Sequence, residues 1–237
     1  MSQDGGEIKI LSATAMKAVL AELTPEIERA TARKLSVAYT TSGGIAKRVA
    51  AGEFADLIIL AATEMAGLTT QGKVVAASTV EIARSNIGVG VRKGTPKPDI
   101  SSAAAFKHAL IAAKTVAYTD PAAGGASGTY LAGLLEKLGI ADKIVERLAA
   151  GGPDGLVGTI VVRGDAEIAL HQIPELIAAG VDLVGPLPPE LQKPTTYQAG
   201  ILTAARQADA AKTLIALLTT PAAAAAIRAE GMACGAA

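Results

Sequence analysis

Residues 55–61 read ADLIILA, and this aliphatic run constrains the fold more than any other part of the chain. A run without polar alternation fits a β-strand that is buried on both faces of a parallel sheet. Strand-like segments at residues 8–11 and 35–39 precede it, and helical periodicity occurs in residues 15–31 and 45–51. The first third of the chain therefore alternates strand and helix, which predicts a doubly wound α/β layer.

Two extended segments, near residues 80–92 and 195–204, enclose a middle block that also alternates helix and strand. We therefore predict two α/β lobes with mixed sheets, joined by a two-segment hinge, with the ligand in a central cleft. The predicted boundaries are 1–83 plus 201–237 for lobe 1, 84–200 for lobe 2, and 83–86 with 198–202 for the hinge. The other predicted elements are helices at 101–113, 129–138, 154–163, 207–218 and 221–231 and strands at 115–118 and 166–170.

The composition argues against several classes of function. Basic and acidic residues both number 22, which argues against a nucleic-acid-binding surface. The single cysteine, Cys234, allows neither a disulfide within the chain nor a cysteine metal cluster. There is no dinucleotide-binding glycine motif, P-loop or HExxH motif, so we expect no cofactor and no metal. No apolar stretch reaches ~18 residues, and the start, MSQDGGEIKI, reads as a chain from which a leader has been removed.

Four clusters of small polar residues stand where a predicted strand leads into a helix. In an open α/β sheet, ligands bind outside the carboxyl ends of the strands. Helix N-termini there present free N–H groups and a positive partial charge, and Ser and Thr add hydroxyl donors. This pattern predicts an anion site that needs no net positive charge, although the same hydroxyls are also typical of ordinary N-caps. The clusters are Ser12 and Thr14; Thr40, Thr41 and Ser42; Ser127, Gly128 and Thr129; and His171 with Gln172.

Three larger side chains extend this prediction. Arg84 lies in the first extended segment, where it either pairs with a ligand carboxylate or is a solvated surface arginine. His171 follows the buried-strand pattern AEIAL and either lines the cleft or acts as a general base. Tyr130 follows SGT and is a candidate for directing its hydroxyl into the site.

The chain resembles the molybdate-type periplasmic substrate-binding proteins in six segments, which occur in order and cover nearly its whole length. The resemblance implies a type II periplasmic binding fold, export to the periplasm, a monomer, a small anionic ligand and membrane subunits of an ABC transporter as partners. The segments are KILSATAMKAVLAEL, TTSGGIAKRVAAGEFADLIILA, ARSNIGVGVRKGTPKPDI, SGTYLAGLLEKLGI, AEIALHQIPELIAAGVDLVGPLPPELQ and LLTTPAAAAAIRAEGM.

In that family, hydroxyls and backbone N–H groups hold a tetrahedral oxyanion. Carried over by position, Thr14 or Ser12 matches the first hydroxyl and Ser42 the second, and the SGTY turn supplies N–H groups. His171 stands where the family has a tyrosine on the ligand, and Arg84 is a further departure; this pair suits carboxylates. The ligand-binding residues so predicted are Ser12, Ala13, Thr14, Thr41, Ser42, Arg84, Ser85, Ser127, Gly128, Thr129, Tyr130, His171 and Gln172.

The segments ARSNIGV and VGPLP also resemble aconitate isomerase, a periplasmic enzyme on the same fold. That resemblance implies a proton shift between cis- and trans-aconitate, with His171 as the base and Tyr130 as a possible acid. The sequence thus leaves three hypotheses. The first is a periplasmic binding protein for an organic carboxylate, which we favour at this point. The second is a cofactor-independent isomerase, and the third is a molybdate or tungstate receptor.

Overall fold

The computed structural model describes residues 6–113, 115–150 and 156–235. The chain divides into two compact units. Unit 1 comprises Met1–Arg84 and Thr196–Ala237, and unit 2 comprises Ser85–Thr195. Each unit is a mixed β-sheet with helices on both faces, which confirms the predicted α/β class and the two sheets. Residues 154 and 155 of the helix predicted at 154–163 lie outside the described residues.

Unit 1 contains a six-stranded sheet in the order β11-β4-β10-β3-β1-β2. Strand β1 pairs in parallel with β2 and β3, and β10 runs antiparallel to β3. The strands are β1 (Ile8–Ala13), β2 (Leu35–Thr40), β3 (Leu57–Ala61), β4 (Val80–Ser85), β10 (Thr195–Ile201) and β11 (Ala233–Cys234). The helices are α1 (Lys17–Thr31), α2 (Ser42–Ala50), α3 (Ala62–Thr70), α8 (Ala208–Leu218) and α9 (Pro221–Ala229).

Strand β3 is buried on both faces, as its aliphatic sequence predicts. Leu57 and Ile59 pack with α1, α8 and α9, whereas Ile58 and Leu60 pack with α2 and α3. Each of these four side chains is 0% exposed. Full burial of one such side chain contributes about 1.5–3 kcal/mol, so this strand anchors the unit.

The carboxylate of Asp56 is a structural anchor rather than a loop charge. Its Oδ2 accepts a hydrogen bond from the Lys9 N–H at 2.9 Å. Its Oδ1 accepts from the N–H groups of Arg206 and Gln207 at 2.8 and 2.9 Å. The side chain is only 1% exposed, so it joins β1 to the turn before α8 inside the unit. Buried carboxylates persist in this way because hydrogen bonds replace their lost hydration.

Unit 2 contains a five-stranded sheet in the order β7-β6-β8-β5-β9. Strand β6 is parallel to β7 and β8, and β5 is antiparallel to β8 and β9. The strands are β5 (Ile87–Val91), β6 (Thr115–Thr119), β7 (Val145–Ala149), β8 (Ile168–Gln172) and β9 (Asp182–Pro186). The helices are α4 (Ala103–Ala113), α5 (Ala126–Lys137), α6 (Val157–Arg163) and α7 (Ile173–Ala179).

Side-chain alternation in unit 2 decides which groups share a face of its sheet. Leu170 of β8 and Tyr118 of β6 point towards α4 and α5. Ala169 and Ala117, one residue earlier in each strand, point towards α6 and α7. Because the side-chain period of a strand is two, the next residues on the α6–α7 face are His171 and Thr119.

Several element boundaries differ from the sequence prediction. Strand β1 continues to Ala13, and α5 begins at Ala126 instead of residue 129, so Ser127–Thr129 form its first turn. The elements α3, β7, α7, β9 and β11 were not predicted, because short or exposed segments carry weak periodicity. Within the described ranges, no single helix is long and apolar enough to cross a membrane; α8 and α9 reach that length only as a pair bent by 66°.

Candidate functional site

The hydroxyls of Ser12 and Thr14 do not cap a helix, so the N-cap alternative is wrong for this cluster. Ser12 Oγ donates to the Ala13 carbonyl at 3.2 Å, and Thr14 Oγ1 donates to the Thr40 carbonyl at 3.4 Å. A 3-10 turn at Thr14–Met16 follows β1, and its cap residue Ala13 has no side-chain hydrogen bond. Both hydroxyls are buried at the carboxyl end of β1.

Thr41 and Ser42 organise the start of α2. Thr41 is a true N-cap, because its Oγ1 accepts the Gly44 N–H at 3.0 Å. Ser42 Oγ accepts the Ala61 N–H at 3.0 Å, which joins the end of β3 to α2. Within the described chain the Ser42 hydroxyl has no acceptor for its own proton. It therefore retains a donor at the carboxyl edge of the sheet.

Glu64 lies beside this edge and was not predicted. It occupies the first turn of α3, directly after β3. Its Oε2 is buried and has no hydrogen-bond partner among the described residues. Burial raises the pKa of the Glu64 carboxyl above its ordinary value. The only sequence signal was an acidic residue shortly after a buried strand, a pattern that also marks ordinary helix starts.

His171 is the centre of a buried polar group in unit 2. Its Nε2 lies 2.6 Å from Thr119 Oγ1, and its Nδ1 lies 3.1 Å from Glu175 Oε2. The second contact is a close approach without hydrogen-bond alignment, since Nδ1 has no hydrogen-bond partner in the described structure. His171 is 5% exposed, Thr119 1% and Glu175 9%. A hydroxyl, an imidazole and a carboxylate in this order form the arrangement that acid–base and nucleophilic sites use.

The local sequence explains why these three side chains meet. Thr119 is the last residue of β6 and His171 the last but one of the neighbouring parallel strand β8, 52 residues apart in the chain. Helix α7 begins directly after β8, so Glu175 stands four residues beyond His171 in its first turn. Gly88 of β5 lies opposite His171 and presents no side chain to it. Only His171 of this group was predicted from the sequence.

The N-terminus of α5 adds hydrogen-bond donors next to Thr119. A Cβ on Gly128 would come within 2.3 Å of the Thr119 carbonyl oxygen, so this glycine allows the close approach of helix and strand. The N–H groups of Ala126, Ser127 and Gly128 make no hydrogen bond to any other described residue, and neither does the buried Ser127 hydroxyl. Thr129 is exposed. These free donors, with the positive end of a 12-residue helix, can hold a carboxylate or an oxyanion.

Gln172 and Ser85 are buried neighbours of this region. Gln172 Nε2 donates to Thr195 Oγ1 at 2.8 Å, and its buried Oε1 has no partner in the part of the chain that is described. Ser85 Oγ donates to the Asn86 carbonyl at 3.3 Å. The unpartnered Gln172 oxygen is an acceptor suited to a hydroxyl or a protonated carboxyl of a ligand.

The structure does not support the acid role predicted for Tyr130. Its hydroxyl donates to the Leu191 carbonyl at 2.7 Å, and its ring packs on the core formed by α4 and α5. Burial raises the pKa of the phenol, which further opposes ionisation. We therefore treat Tyr130 as a packing residue.

Arg84 is an exposed ion-pair residue in this structure. Its Nε lies 2.7 Å from Glu81 Oε1, and half of its side chain is exposed. In β4 it stands opposite Ala233 of β11, and its described side-chain interactions are those with Glu81. Pairing with a ligand carboxylate therefore stays a prediction.

A cavity of about 630 Å³ lies at the other end of the unit 2 sheet. Val91 and Ile168 line it, and these residues pair across β5 and β8 at the end opposite His171. Its remaining walls combine alanine and proline side chains with the ionisable residues Arg92, Asp99, His108 and Glu167. It is therefore separate from the His171 group. In the described ranges, no group of three or more His, Cys, Asp or Glu residues could hold a metal ion.

Comparison with known proteins identifies relatives over almost the whole chain. Residues 8–233 match the family model described as bacterial extracellular solute-binding protein. Aconitate isomerase from a Pseudomonas species is 35% identical over 231 residues, covering 95% of this chain and 87% of that protein.

Solved structures share the fold at low sequence identity. The periplasmic molybdate-binding protein of Azotobacter vinelandii has a TM-score of 0.72 at 20% identity, covering 95% of this chain and 98% of that one. The sulfate-binding protein SubI of Mycobacterium tuberculosis has a TM-score of 0.78 at 17% identity, covering 96% of this chain and 86% of that one.

Proposed function

We propose that this chain, which belongs to the family of bacterial extracellular solute-binding proteins, binds a small organic polycarboxylate and isomerises it by moving a proton between two carbon atoms. One observation carries the proposal: His171 is buried between the hydroxyl of Thr119 and the carboxylate of Glu175. The relative that acts on aconitate supports the substrate class.

The buried carboxylate distinguishes catalysis from simple anion binding. A receptor for an anion gains affinity from neutral donors and positive charge, whereas a buried carboxylate near the ligand repels it. Glu175 therefore has a cost for a protein that only binds. For a base the same carboxylate is useful, because it stabilises the imidazolium that forms when His171 takes a proton.

The proposed reaction is an allylic proton shift between cis- and trans-aconitate. His171 removes a proton from the methylene carbon, and the released electron pair spreads over the neighbouring double bond and carboxylate. A proton then returns to the other end of the allylic system, so the double bond moves and the composition of the molecule is unchanged. The chemistry requires only a positioned base and donors for the transient enolate-like charge.

The remaining polar groups suit the binding of the carboxylates. In unit 2, the free N–H groups at the start of α5 and the Ser127 hydroxyl are donors for one carboxylate. In unit 1, Ser42 keeps a free donor beside the N-terminus of α2. Thr41 itself serves as the cap of that helix. We propose that the unit 2 donors hold a carboxylate of the substrate.

The test is to incubate the purified protein with trans-aconitate in D₂O and to follow the proton NMR spectrum. Appearance of cis-aconitate supports the isomerase, and deuterium at the methylene carbon reports proton exchange during turnover. An unchanged spectrum at protein concentrations that bind trans-aconitate refutes the isomerase. A thermal-shift measurement on the same sample establishes that binding.

The second candidate is a periplasmic, monomeric receptor that delivers a carboxylate or an oxyanion to an ABC transporter without changing it. The observation in its favour is the set of neutral donors in unit 2, three free N–H groups and the hydroxyl of Ser127. Such a set also holds a tetrahedral oxyanion. Calorimetry with molybdate, tungstate, sulfate and aconitate separates the ligands. Submicromolar affinity for molybdate without turnover of aconitate would favour this candidate.

A further inference from the structure

We infer that Glu175 is a positioning residue that fixes the tautomer of His171, so that Nδ1 carries the ring proton and Nε2 is the basic nitrogen. The catalytic meaning of this inference rests on the proposed isomerase. The inference about the ring itself rests on the geometry around His171 and can be tested without substrate.

The first argument is the electrostatics at Nδ1. A neutral imidazole has one N–H and one lone pair, and the groups around the ring decide which nitrogen carries the proton. Glu175 Oε2 lies 3.1 Å from Nδ1, and both residues are buried. A lone pair on Nδ1 would face a carboxylate oxygen without water between them, which is repulsive. A proton on Nδ1 converts this contact into an attraction.

The second argument is the group at Nε2. Thr119 Oγ1 lies 2.6 Å from Nε2, a normal distance for a hydroxyl hydrogen bond. A hydroxyl can donate or accept, so Thr119 accommodates either tautomer, whereas an ionised Glu175 only accepts. Glu175 therefore determines the tautomer, and the Thr119 hydroxyl donates a hydrogen bond to the basic Nε2.

Among the described residues, the contacts of the ring involve one charged group. Strand β5 places Gly88 opposite His171, and β6 places the Thr119 hydroxyl at Nε2. The charged residue of α6, Arg163, is paired with Asp165 at an exposed position. Glu175 is thus the charged side chain in contact with His171 among the described residues.

The fixed tautomer has a direct catalytic consequence. With the proton on Nδ1, the lone pair of Nε2 accepts the hydrogen bond from Thr119. Once that hydrogen bond breaks, Nε2 can take the proton from the substrate methylene carbon. The resulting imidazolium is held against Glu175 and later returns the proton to the other allylic carbon. If the tautomer were reversed, Nε2 would already carry a proton and could not serve as the base.

The experiment is long-range ¹⁵N–¹H NMR of the uniformly ¹⁵N-labelled protein at neutral pH without ligand. The chain has two histidines, so a His108→Gln variant assigns the signals of His171 unambiguously. We expect a protonated Nδ1 and an unprotonated Nε2. A protonated Nε2, either as the other tautomer or as the imidazolium, overturns the inference. The wild-type spectrum alone decides this point, even if a variant fails to fold.

Variants then test whether Glu175 is the cause. Glu175→Leu should move His171 towards the Nε2–H tautomer. The matched control is Glu167→Leu, which changes an exposed glutamate directly before β8, the strand that carries His171. This control should leave the tautomer unchanged. An unchanged tautomer in folded Glu175→Leu overturns the role of Glu175.

Isomerisation is measured separately on the same samples. If the wild-type protein turns over aconitate, Glu175→Leu should lower kcat at least tenfold with KM within about threefold. Absence of turnover with the expected tautomer refutes the proposed function but leaves the inference about His171 standing.

Discussion

His171 Nε2 and Thr119 Oγ1 lie 2.6 Å apart although 52 residues separate them in the chain. The contact exists because β6 and β8 are parallel neighbours and both side chains point to the sheet face covered by α6 and α7. Glu175 reaches the other nitrogen of the same ring from the first turn of α7. The position of the proposed base is therefore set by two strands and one helix.

Replacement of the base should remove turnover and preserve binding. We expect His171→Gln to lower kcat for aconitate isomerisation by about 10²–10⁴-fold, the usual contribution of a positioned general base. Binding of trans-aconitate, measured by calorimetry, should change much less. His108→Gln, at an exposed position of α4, is the control and should retain wild-type kinetics. Full activity in His171→Gln would remove this residue from the mechanism.

The glycine at the start of α5 should be required for the site. In Gly128→Ala, the new Cβ would approach the Thr119 carbonyl oxygen to 2.3 Å, so the helix must shift. We expect a stability loss of about 1–3 kcal/mol in urea unfolding, with weaker ligand binding. Gly133→Ala in the same helix meets open space and should be neutral or stabilising by about 0.5–1 kcal/mol. Equal effects of the two substitutions would contradict the close-approach argument.

Asp56 should be important for stability and not for chemistry. Asp56→Ala leaves three backbone N–H groups, those of Lys9, Arg206 and Gln207, without their acceptor. We expect a loss of about 3 kcal/mol or more in the free energy of unfolding, because buried unsatisfied donors cost about 1–3 kcal/mol each. Asp165→Ala, at an exposed position, should have a free energy of unfolding within about 0.5 kcal/mol of that of the wild type. The prediction fails if chemical denaturation finds both variants equally stable.

Glu64 should make unfolding stability depend on pH with a definite sign. Burial raises its pKa in the folded state above the ordinary value of 4.5, so the folded protein holds this proton where the unfolded chain has lost it. Stability contributed by the protonated form is therefore lost as pH rises through the interval above 4.5. Glu64→Gln should flatten this decrease and be more stable than wild type at neutral pH. Glu22→Gln, exposed on α1, should reproduce the wild-type slope in denaturant titrations at several pH values.

The sequence by itself determined the class of fold and the places where polar groups collect. The aliphatic run of β3 required cover on both faces, and the helical periodicities around it supplied that cover. The four polar clusters stand at junctions between strand and helix, as predicted, because hydrophobic periodicity is local and shows where one element ends.

The tertiary structure decided which of those groups meet. Thr119 joins His171 only through the pairing of β6 and β8, and Asp56 becomes an anchor only through the turn before α8. Tyr130 turned towards Leu191, although its neighbours in sequence suggested a role in the site. Strand order, register and the direction of a side chain are set by long-range packing of the whole unit, and that information is not carried by the period of any single segment.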